Sequence, residues 1–464
     1  MAYSSAAQHR RMIGTPIPRL VASLAVPTVI SQLITVVYNT ADTYFVSHID
    51  TSASAAVGVA FALQSIIQAF GFGISMGCSS LVSRRLGEKK DDEANEYASS
   101  TVFAGIVIGF MLMAGGLSTL RPLLRLLGAT ETILPYAAAY TRIILIGAPV
   151  MCTSFVLNSI LKAEGMANLS MIGLCTGGVV NVALDPLFIY TFGLGIAGAA
   201  IATVISQAVS LVILLVIFRS GRSIIKLRAG YVSRRAETYW QLVKLGFPTI
   251  CRQGLGSVAA ALLNRGAAYY GGDFADEAVA AVTIANKIYM FVRSIMIGIG
   301  QGFQPAAGYN FGAGRYSRVK KAFWFATAVG TATAAAAAVS VGLNTAAVMS
   351  WFRNDPKVIE IGSLALKFAC AVMPLMAYST FVNQLYQCLG FSVCASILAS
   401  CRQGIFFIPI VLLLPRAIGL AGVQTAQPAA DLATFLVSVP FQIVFFRRVL
   451  SRPDSGEEPA PEAG

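Results

Sequence analysis

Long apolar stretches recur along nearly the whole chain and are separated by short polar segments. An α-helix needs about 20 predominantly apolar residues to cross a bilayer, whereas the strands of a membrane β-barrel alternate in polarity over ~10 residues. The pattern is therefore typical of an all-α polytopic membrane protein. It predicts twelve transmembrane helices, over residues 18–46, 54–83, 95–120, 133–156, 168–191, 196–218, 239–270, 278–308, 319–346, 358–382, 393–414 and 418–446.

The composition agrees with this prediction, because 56% of the 464 residues are hydrophobic and only 12% are charged. The net charge of +13 would be compatible with nucleic-acid binding, but the basic residues are concentrated in every second polar segment. Of the 34 Lys and Arg residues, 22 lie in the polar segments on the side of the N-terminus or in the first two turns of the adjoining spans, 5 lie on the opposite side and 7 lie deeper within spans. This asymmetry predicts a multi-pass protein of the cell membrane with both termini in the cytoplasm and no nucleic-acid partner.

An internal repeat relates the two halves of the chain. Adding 225 to a position in the first half takes Gly73 to Gly298, Gly77 to Gly302, Gly87 to Gly312, Pro149 to Pro374 and Asn158 to Asn383. Six spans is an even number, so both halves enter the membrane in the same direction. We therefore expect two six-helix lobes related by a pseudo-twofold axis along the membrane normal, with a central cleft.

The polar segments define the expected domain organisation. It comprises a cytoplasmic N-terminus (1–17), a first lobe (18–218), a cytoplasmic linker (219–238), a second lobe (239–446) and a disordered cytoplasmic tail (447–464).

Motifs for catalysis, cofactors or nucleotide hydrolysis are absent from the sequence. It has two His residues, both outside the predicted spans, and no GxxxxGK[ST] element. We therefore expect neither an enzyme nor a bound cofactor, and no metal site other than one for a transported ion. Two lobes around a central cleft suit a transporter, which would then draw its energy from an ion gradient or from the substrate's own gradient.

Acidic residues within the first lobe are the strongest candidates for function. Asp42 and Asp185 lie near the outer ends of two spans, and an ionisable group at membrane depth is by default a functional-site hypothesis. At ~1.5 Å per residue, Tyr140 and Thr203 fall at the same depth, roughly 6–11 Å below the outer face. Asn181 lies one helical turn from Asp185.

Two carboxylates close together in a poorly hydrated lobe do not both stay ionised. The pair would therefore bind a proton. Alternatively it would bind a sodium ion, with Asp42, Asn181, Asp185 and Thr203 as ligands.

The second lobe lacks equivalent acids and carries basic residues in its spans instead. Asp431 is expected to pair with one of them, Lys287 or Arg402. Polar, basic, aromatic and Met side chains are candidates to line the substrate cleft by hydrogen-bond, cation–π and soft apolar contacts. These candidates are Tyr38, Asn39, Met76, Phe155, Lys287, Met290 and Arg402.

Several segments, taken in order, resemble the multidrug and toxic compound extrusion (MATE) family. They are Pro27 with YNTADTYFV (38–46), the Gly87 turn, YTRIILIGAP (140–149), NVALDPLFIY (181–190), GLGIAGAAIATVISQ (193–207), GQGFQPAAGYNFGAGR (300–315), RQGIFFIPIVLLLP (402–415) and GLAGVQTAQPAAD (419–431). The resemblance covers nearly all of residues 15–450.

The resemblance implies a monomeric antiporter that exports organic, often cationic drugs or metabolites in exchange for protons or sodium. It places Asp42, Tyr140, Asn181, Asp185 and Thr203 at the family's cation-binding positions, and 304–310 at a structural turn. One branch of the family has acidic ion ligands in the second lobe, and this chain lacks them, so it is closer to the DinF-like branch. The alternative is a lipid-linked oligosaccharide flippase, which the basic residues of the second lobe would suit.

Overall fold

The protein is almost entirely helical in the computed structural model, which describes residues 5–47 and 51–455. The helices of the first half are α1 Ser5–Gly14, α2 Ile17–Ser47, α3 Thr51–Gly87, α4 Asp91–Ser118, α5 Leu120–Leu126, α6 Leu134–Ala163, α7 Ala167–Pro186 and α8 Gly195–Arg219. Those of the second half are α9 Ala236–Tyr270, α10 Ala275–Gly312, α11 Tyr316–Leu343, α12 Thr345–Ser350, α13 Pro356–Cys388, α14 Ser392–Ser400, α15 Phe407–Ile418 and α16 Leu420–Arg448.

Within the described residues, eleven helical segments are long and apolar enough to cross a membrane. The α14–α15 segment counts as one of them, because a π-helical turn at Cys401–Ile405 joins its two parts. Helix α9 is the remaining long helix, and it is less apolar because it carries Lys244, Arg252 and Arg265. Together these helices give the predicted two lobes of six.

Some helices continue past the predicted ends. Helix α6 runs to Ala163 instead of 156, and α13 runs to Cys388 instead of 382. The extra turns carry polar side chains, and these interrupt the apolar runs from which the spans are predicted. In the fold these side chains have hydrogen-bond partners, so the helices continue through them. Asn158 donates to the Ser170 carbonyl at 3.0 Å, and its repeat equivalent Asn383 donates to the Ala395 carbonyl at 2.7 Å.

Two predicted features differ in the structure. Residues 304–310 are not a turn, because they lie within the continuous helix α10. The described part of the tail, 447–455, is ordered: Asp454 accepts hydrogen bonds from Ser317, and the Ser455 amide donates to the Gly314 carbonyl at 3.2 Å. Residues 456–464 lie outside the described residues.

The lobes meet through glycines that the repeat relates. A Cβ on Gly77 of α3 would lie 2.3 Å from the Leu242 carbonyl oxygen of α9. A Cβ on Gly302 of α10 would lie 2.3 Å from the Cα of Ala25 in α2. The α3–α9 and α10–α2 contacts are thus two copies of one interface, as a pseudo-twofold relation requires.

Cross-lobe hydrogen bonds gather at the end of the bundle that carries residues 219–235, which we call the linker end. Ser80 donates to the carbonyl oxygens of Gln387 and Cys388 at 3.0 and 2.9 Å. Arg318 of α11 donates to the Thr15 carbonyl at 2.6 Å. The largest hydrophobic core also crosses the lobe boundary and includes Leu81 and Phe303. The two lobes are therefore closed against each other at the linker end.

The linker itself is bound to the first lobe. The Glu164 carboxylate, between α6 and α7, accepts hydrogen bonds from the Ser223 hydroxyl at 2.7 Å and from the Ile224 amide at 2.8 Å. The Lys226 amide donates to Asn95 at 2.8 Å. Desolvation outweighs these hydrogen bonds, so burial raises the pKa of Glu164 to about 7.

The glycine contacts generate a prediction about the closed end. The added methyl group of Gly77→Ala or Gly302→Ala overpacks the lobe interface. It should destabilise the closed arrangement by about 1–3 kcal/mol and so shift the protein away from it. The Cys388 thiol, buried beside this interface, should then react faster with a maleimide, as measured by mass spectrometry of its peptide. Gly254→Ala is the control, because a Cβ there meets nothing within 4 Å. Labelling no faster than in this control would contradict the prediction.

Glu164 generates a prediction about pH. Its pKa is raised from 4.5 in the unfolded reference to about 7, so its protonation stabilises the fold at acid pH and this contribution is lost as the pH rises through 7. The wild type should lose stability relative to Glu164→Gln between about pH 5 and pH 7, by on the order of 1 kcal/mol per pH unit. Thermal unfolding in detergent measures this difference.

The exposed Glu131 provides the control for that experiment. The Glu131→Gln variant should show a pH profile parallel to the wild type. A parallel profile for Glu164→Gln would argue that Glu164 titrates as it does in water.

Candidate functional site

Helices α2 and α6 bring a buried carboxylate and a tyrosine together in the first lobe. Asp42, near the end of α2, is 5% exposed, and Tyr140 is 1% exposed. The Tyr140 hydroxyl lies 3.5 Å from Asp42 Oδ2, at the limit of a hydrogen bond. The structure therefore brings these two sequence-selected residues together.

Helices α7 and α8 supply the other predicted members of this site. The Asn181 side-chain amide donates to Asp185 Oδ1 at 3.2 Å and to Thr203 Oγ1 at 3.4 Å. All three side chains are buried, and Asp185 is completely shielded. The chain turns away directly after Asp185, because α7 ends at Pro186 and a π-helical turn, Leu187–Thr191, follows.

The two groups form one cluster. Tyr140 interacts electrostatically with both Asp42 and Asp185, and the two carboxylates interact with each other. Three buried oxygens, Asp42 Oδ1, Asn181 Oδ1 and Asp185 Oδ2, have no hydrogen-bond partner among the described residues. Buried polar atoms are normally paired, so these oxygens are suited to receive a proton or a small cation. Within residues 5–47 and 51–455, no group of three or more His, Cys, Asp or Glu side chains is placed to hold a metal ion.

A cavity that is partly open to its surroundings lies beside the cluster in the first lobe. Asn181 and Thr203, which form part of the cluster with Asp185, also line it. Any ion that changes the hydrogen bonds of these two side chains therefore changes the wall of the cavity.

The residues predicted to line the substrate cleft divide into those that line a cavity in the structure and those that do not. Tyr38, Met76 and Phe155 line the cavity of the first lobe. Phe155 stacks on Phe72, another lining residue, with ring centroids 4.3 Å apart. Asn39 donates to the Thr35 carbonyl of its own helix at 2.8 Å.

Lys287 and Met290 of α10 line neither this cavity nor the smaller one in the second lobe. Both side chains are exposed and lie one turn apart on one face of the helix. Their contribution to a substrate cleft remains a prediction.

Sequence reasoning missed three polar residues of the first-lobe cavity: Lys162, Gln301 and Gln304. Lys162 of α6 donates to Gln301 of α10 at 2.9 Å, which links the lobes across the cavity. The sequence predicts Lys162 in the polar segment between the spans 133–156 and 168–191. The seven further residues of α6 place it on the cavity wall.

A smaller cavity occupies the corresponding place in the second lobe. Its residues Ser379 and Asn383 are the repeat equivalents of Ser154 and Asn158 in the larger cavity. Three arginines line it, namely Arg252, Arg293 and Arg402. The two cavities therefore share a position in the repeat but differ in charge.

The Arg402 candidate lies in the π-helical turn of the α14–α15 segment and pairs with Asp431 of α16. The distance from Arg402 Nε to Asp431 Oδ1 is 2.6 Å, which confirms the predicted pairing of Asp431 with a basic residue. The Tyr289 hydroxyl donates to the other oxygen of Asp431 and accepts a hydrogen bond from Arg402 at 2.6 Å. Asp431 is thus neutralised and hydrogen-bonded within the lobe.

The residues that the structure describes form a bundle of twelve long helices in two pseudo-symmetric lobes, each with its own polar cavity, and this is an architecture suited to a membrane transporter. The MatE family profile matches residues 27–187 and 267–413, well over half of the chain. The chain belongs to the MatE family of transporters, as the sequence predicted. A transporter of this family is not an enzyme.

Known relatives span almost the full chain. The multidrug export protein MepA of Staphylococcus aureus (strain bovine RF122 / ET3-1) is 24% identical over 430 residues, covering 91% of this chain and 94% of MepA. MepA of Staphylococcus saprophyticus is 25% identical over 418 residues, covering 89% and 91%. An outward-facing multidrug resistance MATE family transporter of the MOP superfamily has the same fold, with a TM-score of 0.90 at 24% identity, covering 96% and 98%.

The Arg402–Asp431 pair generates a prediction about stability. Arg402→Met leaves the Asp431 carboxylate, 1% exposed, without its cation and should destabilise the protein by on the order of 3–5 kcal/mol. Asp431→Asn should lower the free energy of unfolding by less. The Arg402 side chain is 12% exposed and borders a cavity that water can enter, so water can hydrate its charge. Thermal unfolding in detergent measures both.

The control for this pair is Lys357→Met, which removes an exposed ion pair with Glu360 and should cost under about 1 kcal/mol. Equal costs for Arg402→Met and Lys357→Met would mean that Asp431 is solvated.

Proposed function

We propose that this protein is a secondary active multidrug efflux transporter that exports organic, often cationic compounds by antiport with protons or sodium. The observation that carries the proposal is that the carboxylate cluster and the cavity of the first lobe share Asn181 and Thr203. An ion bound by the carboxylates and a substrate in the cavity would therefore act on the same side chains.

The distribution of charge supports an orientation. The linker end carries the segments that hold 22 of the 34 basic residues, so we assign it and both termini to the cytoplasm. The lobes are closed at that end, and the protein is accordingly poised to open outward. We propose that it acts as a monomer in the cell membrane.

The proposed cycle rests on differential affinity. With Asp42 deprotonated beside Asp185, the cluster carries negative charge next to the cavity and favours a cationic substrate. Entry of a proton or a sodium ion from outside neutralises the pair and weakens that attraction. The ion drives transport only if its affinity differs between the inward-open and outward-open states.

Helix α2 is suited to transmit the change. It carries Asp42 near one end and Pro27 in its interior, and a proline removes one hydrogen bond of a helix and favours bending. Near Pro27, the Thr28 hydroxyl donates to the Gly298 carbonyl of α10 at 2.7 Å, which couples this helix to the second lobe. Bending at Pro27 would therefore connect the ion cluster with the contact between lobes.

The substrate class follows from the relatives and from the lining. The matched Staphylococcus proteins are named multidrug export proteins, which favours drug export over lipid-linked oligosaccharide flipping. Phe72, Phe155 and Met76 give the cavity aromatic and thioether surface, which accepts flat apolar cations without requiring one shape.

Transport in inside-out vesicles tests this proposal. Ethidium is added outside, and an acidic lumen or, separately, a sodium-loaded lumen supplies the gradient. One of these gradients should drive dye uptake by the wild type, and Asp42→Asn and Asp185→Asn should abolish that uptake because neither amide can bind and release the ion. Dye fluorescence, normalised to inserted protein, is the readout.

Asp276→Asn is the control, because Asp276 is an exposed carboxylate at the start of α10, away from the cluster. It should transport like the wild type. No gradient-driven uptake by inserted wild-type protein would contradict export of this dye. Normal uptake by both cluster variants would leave export standing but remove the cluster from its mechanism.

A further inference from the structure

The cavity of the second lobe contains unpaired positive charge. Arg252 of α9 and Arg293 of α10 both line it, and neither forms an ion pair or a hydrogen bond with any residue that the structure describes. Arg402 is the exception among the three arginines, because it forms an ion pair with Asp431. One carboxylate therefore faces three guanidinium groups, which leaves two positive charges uncompensated.

The position of these arginines makes their lack of partners costly. Arg252 lies near the middle of α9 (Ala236–Tyr270), and Arg293 lies near the middle of α10 (Ala275–Gly312). Both are only partly exposed, and they interact unfavourably with each other and with Arg402, while Arg293 also feels the Asp431 carboxylate that Arg402 binds. Like charges held together at membrane depth are unfavourable unless an anion joins them.

The cavity has the features of a built site. Around the guanidinium groups it presents polar side chains, including Ser379, Thr380 and Gln403. Gln403 and Arg402 belong to a π-helical turn, a distortion that is frequent at functional sites. Guanidinium groups bind carboxylate and phosphate oxygens through paired, charge-assisted hydrogen bonds.

We propose that the cavity of the second lobe binds an anionic group of the carboxylate or phosphate class, held by Arg252 and Arg293 with Arg402 fixed beside them by Asp431. This site is separate from the cation cluster of the first lobe and does not depend on the export function proposed above. The anionic group belongs either to a soluble molecule or to the head group of an acidic lipid.

The test is a binding measurement that needs neither an ion gradient nor a drug. For the soluble source, full-length protein in neutral detergent is titrated with inorganic phosphate at matched ionic strength, and its thermal unfolding is followed. For the lipid source, the protein is placed in nanodiscs of phosphatidylcholine with or without phosphatidylglycerol. The variants are Arg252→Gln and Arg293→Gln.

Arg265→Gln is the matched control, because Arg265 lies on the same helix as Arg252 but is exposed and outside the cavity. Stabilisation by phosphate in the wild type and in the control, with affinity about tenfold or more weaker in both cavity variants, would establish a site for soluble anions. The same pattern with phosphatidylglycerol alone would assign the site to a lipid head group. Stabilisation that is absent, or equal in all four proteins, would overturn the proposal.

A second readout guards against variants that simply fold poorly. Without any added anion, Arg252→Gln and Arg293→Gln remove unpaired like charge and should unfold at the same or a higher temperature than the wild type. A lower unfolding temperature for both variants without added anion would mean that the two arginines are paired inside the protein, which contradicts the proposal.

Discussion

Charge at membrane depth is the constraint on which the two cavities depend. A charged side chain inside a bilayer needs a partner, a ligand or water, and each lobe meets this need differently. The first lobe places Asp42 and Asp185 in one cluster with three oxygens that lack hydrogen-bond partners among the described residues. The second lobe neutralises Asp431 with Arg402 and leaves Arg252 and Arg293 facing a cavity. One duplicated scaffold therefore holds two polar sites of opposite charge.

Glycine contacts determine how the lobes approach each other. Gly77 and Gly302 allow backbones to pack closely at equivalent places, and small residues at such interfaces are the usual means of helix association in membranes. The contacts lie toward the linker end, where Ser80 and Arg318 add hydrogen bonds between lobes. The interface is thus tight at one end of the bundle, and the Lys162–Gln301 bond crosses it beside the first-lobe cavity.

The coupling suggested for the first lobe has a short physical path. Asp185 contacts Asn181, which contacts Thr203, and the last two side chains form part of the cavity wall. No residue is needed to carry a signal over a long distance. Helix α2 extends the path toward the second lobe, since Thr28 reaches α10 directly.

Sequence alone determined the class of fold and selected residues that meet in the carboxylate cluster of the first lobe. Apolar length gives spanning helices because the bilayer leaves backbone groups no other partners, and the 225-residue offset gives two lobes. The rare acids of the first lobe could be found because burial of charge is expensive, and helical rise placed them at one depth. Asp431 could be assigned a basic partner for the same reason.

Only the tertiary structure decided which face of each helix points where. A spanning helix is apolar toward lipid and toward its neighbours, so it lacks the polar stripe that reveals orientation in a water-soluble protein. For this reason the sequence predicts Lys287 and Met290 in the cleft although they lie outside both cavities. It likewise predicts Lys162 in a loop although Lys162 lines the first-lobe cavity. The isolation of Arg252 and Arg293 likewise depends on what packs around them, and that is settled only when distant helices meet.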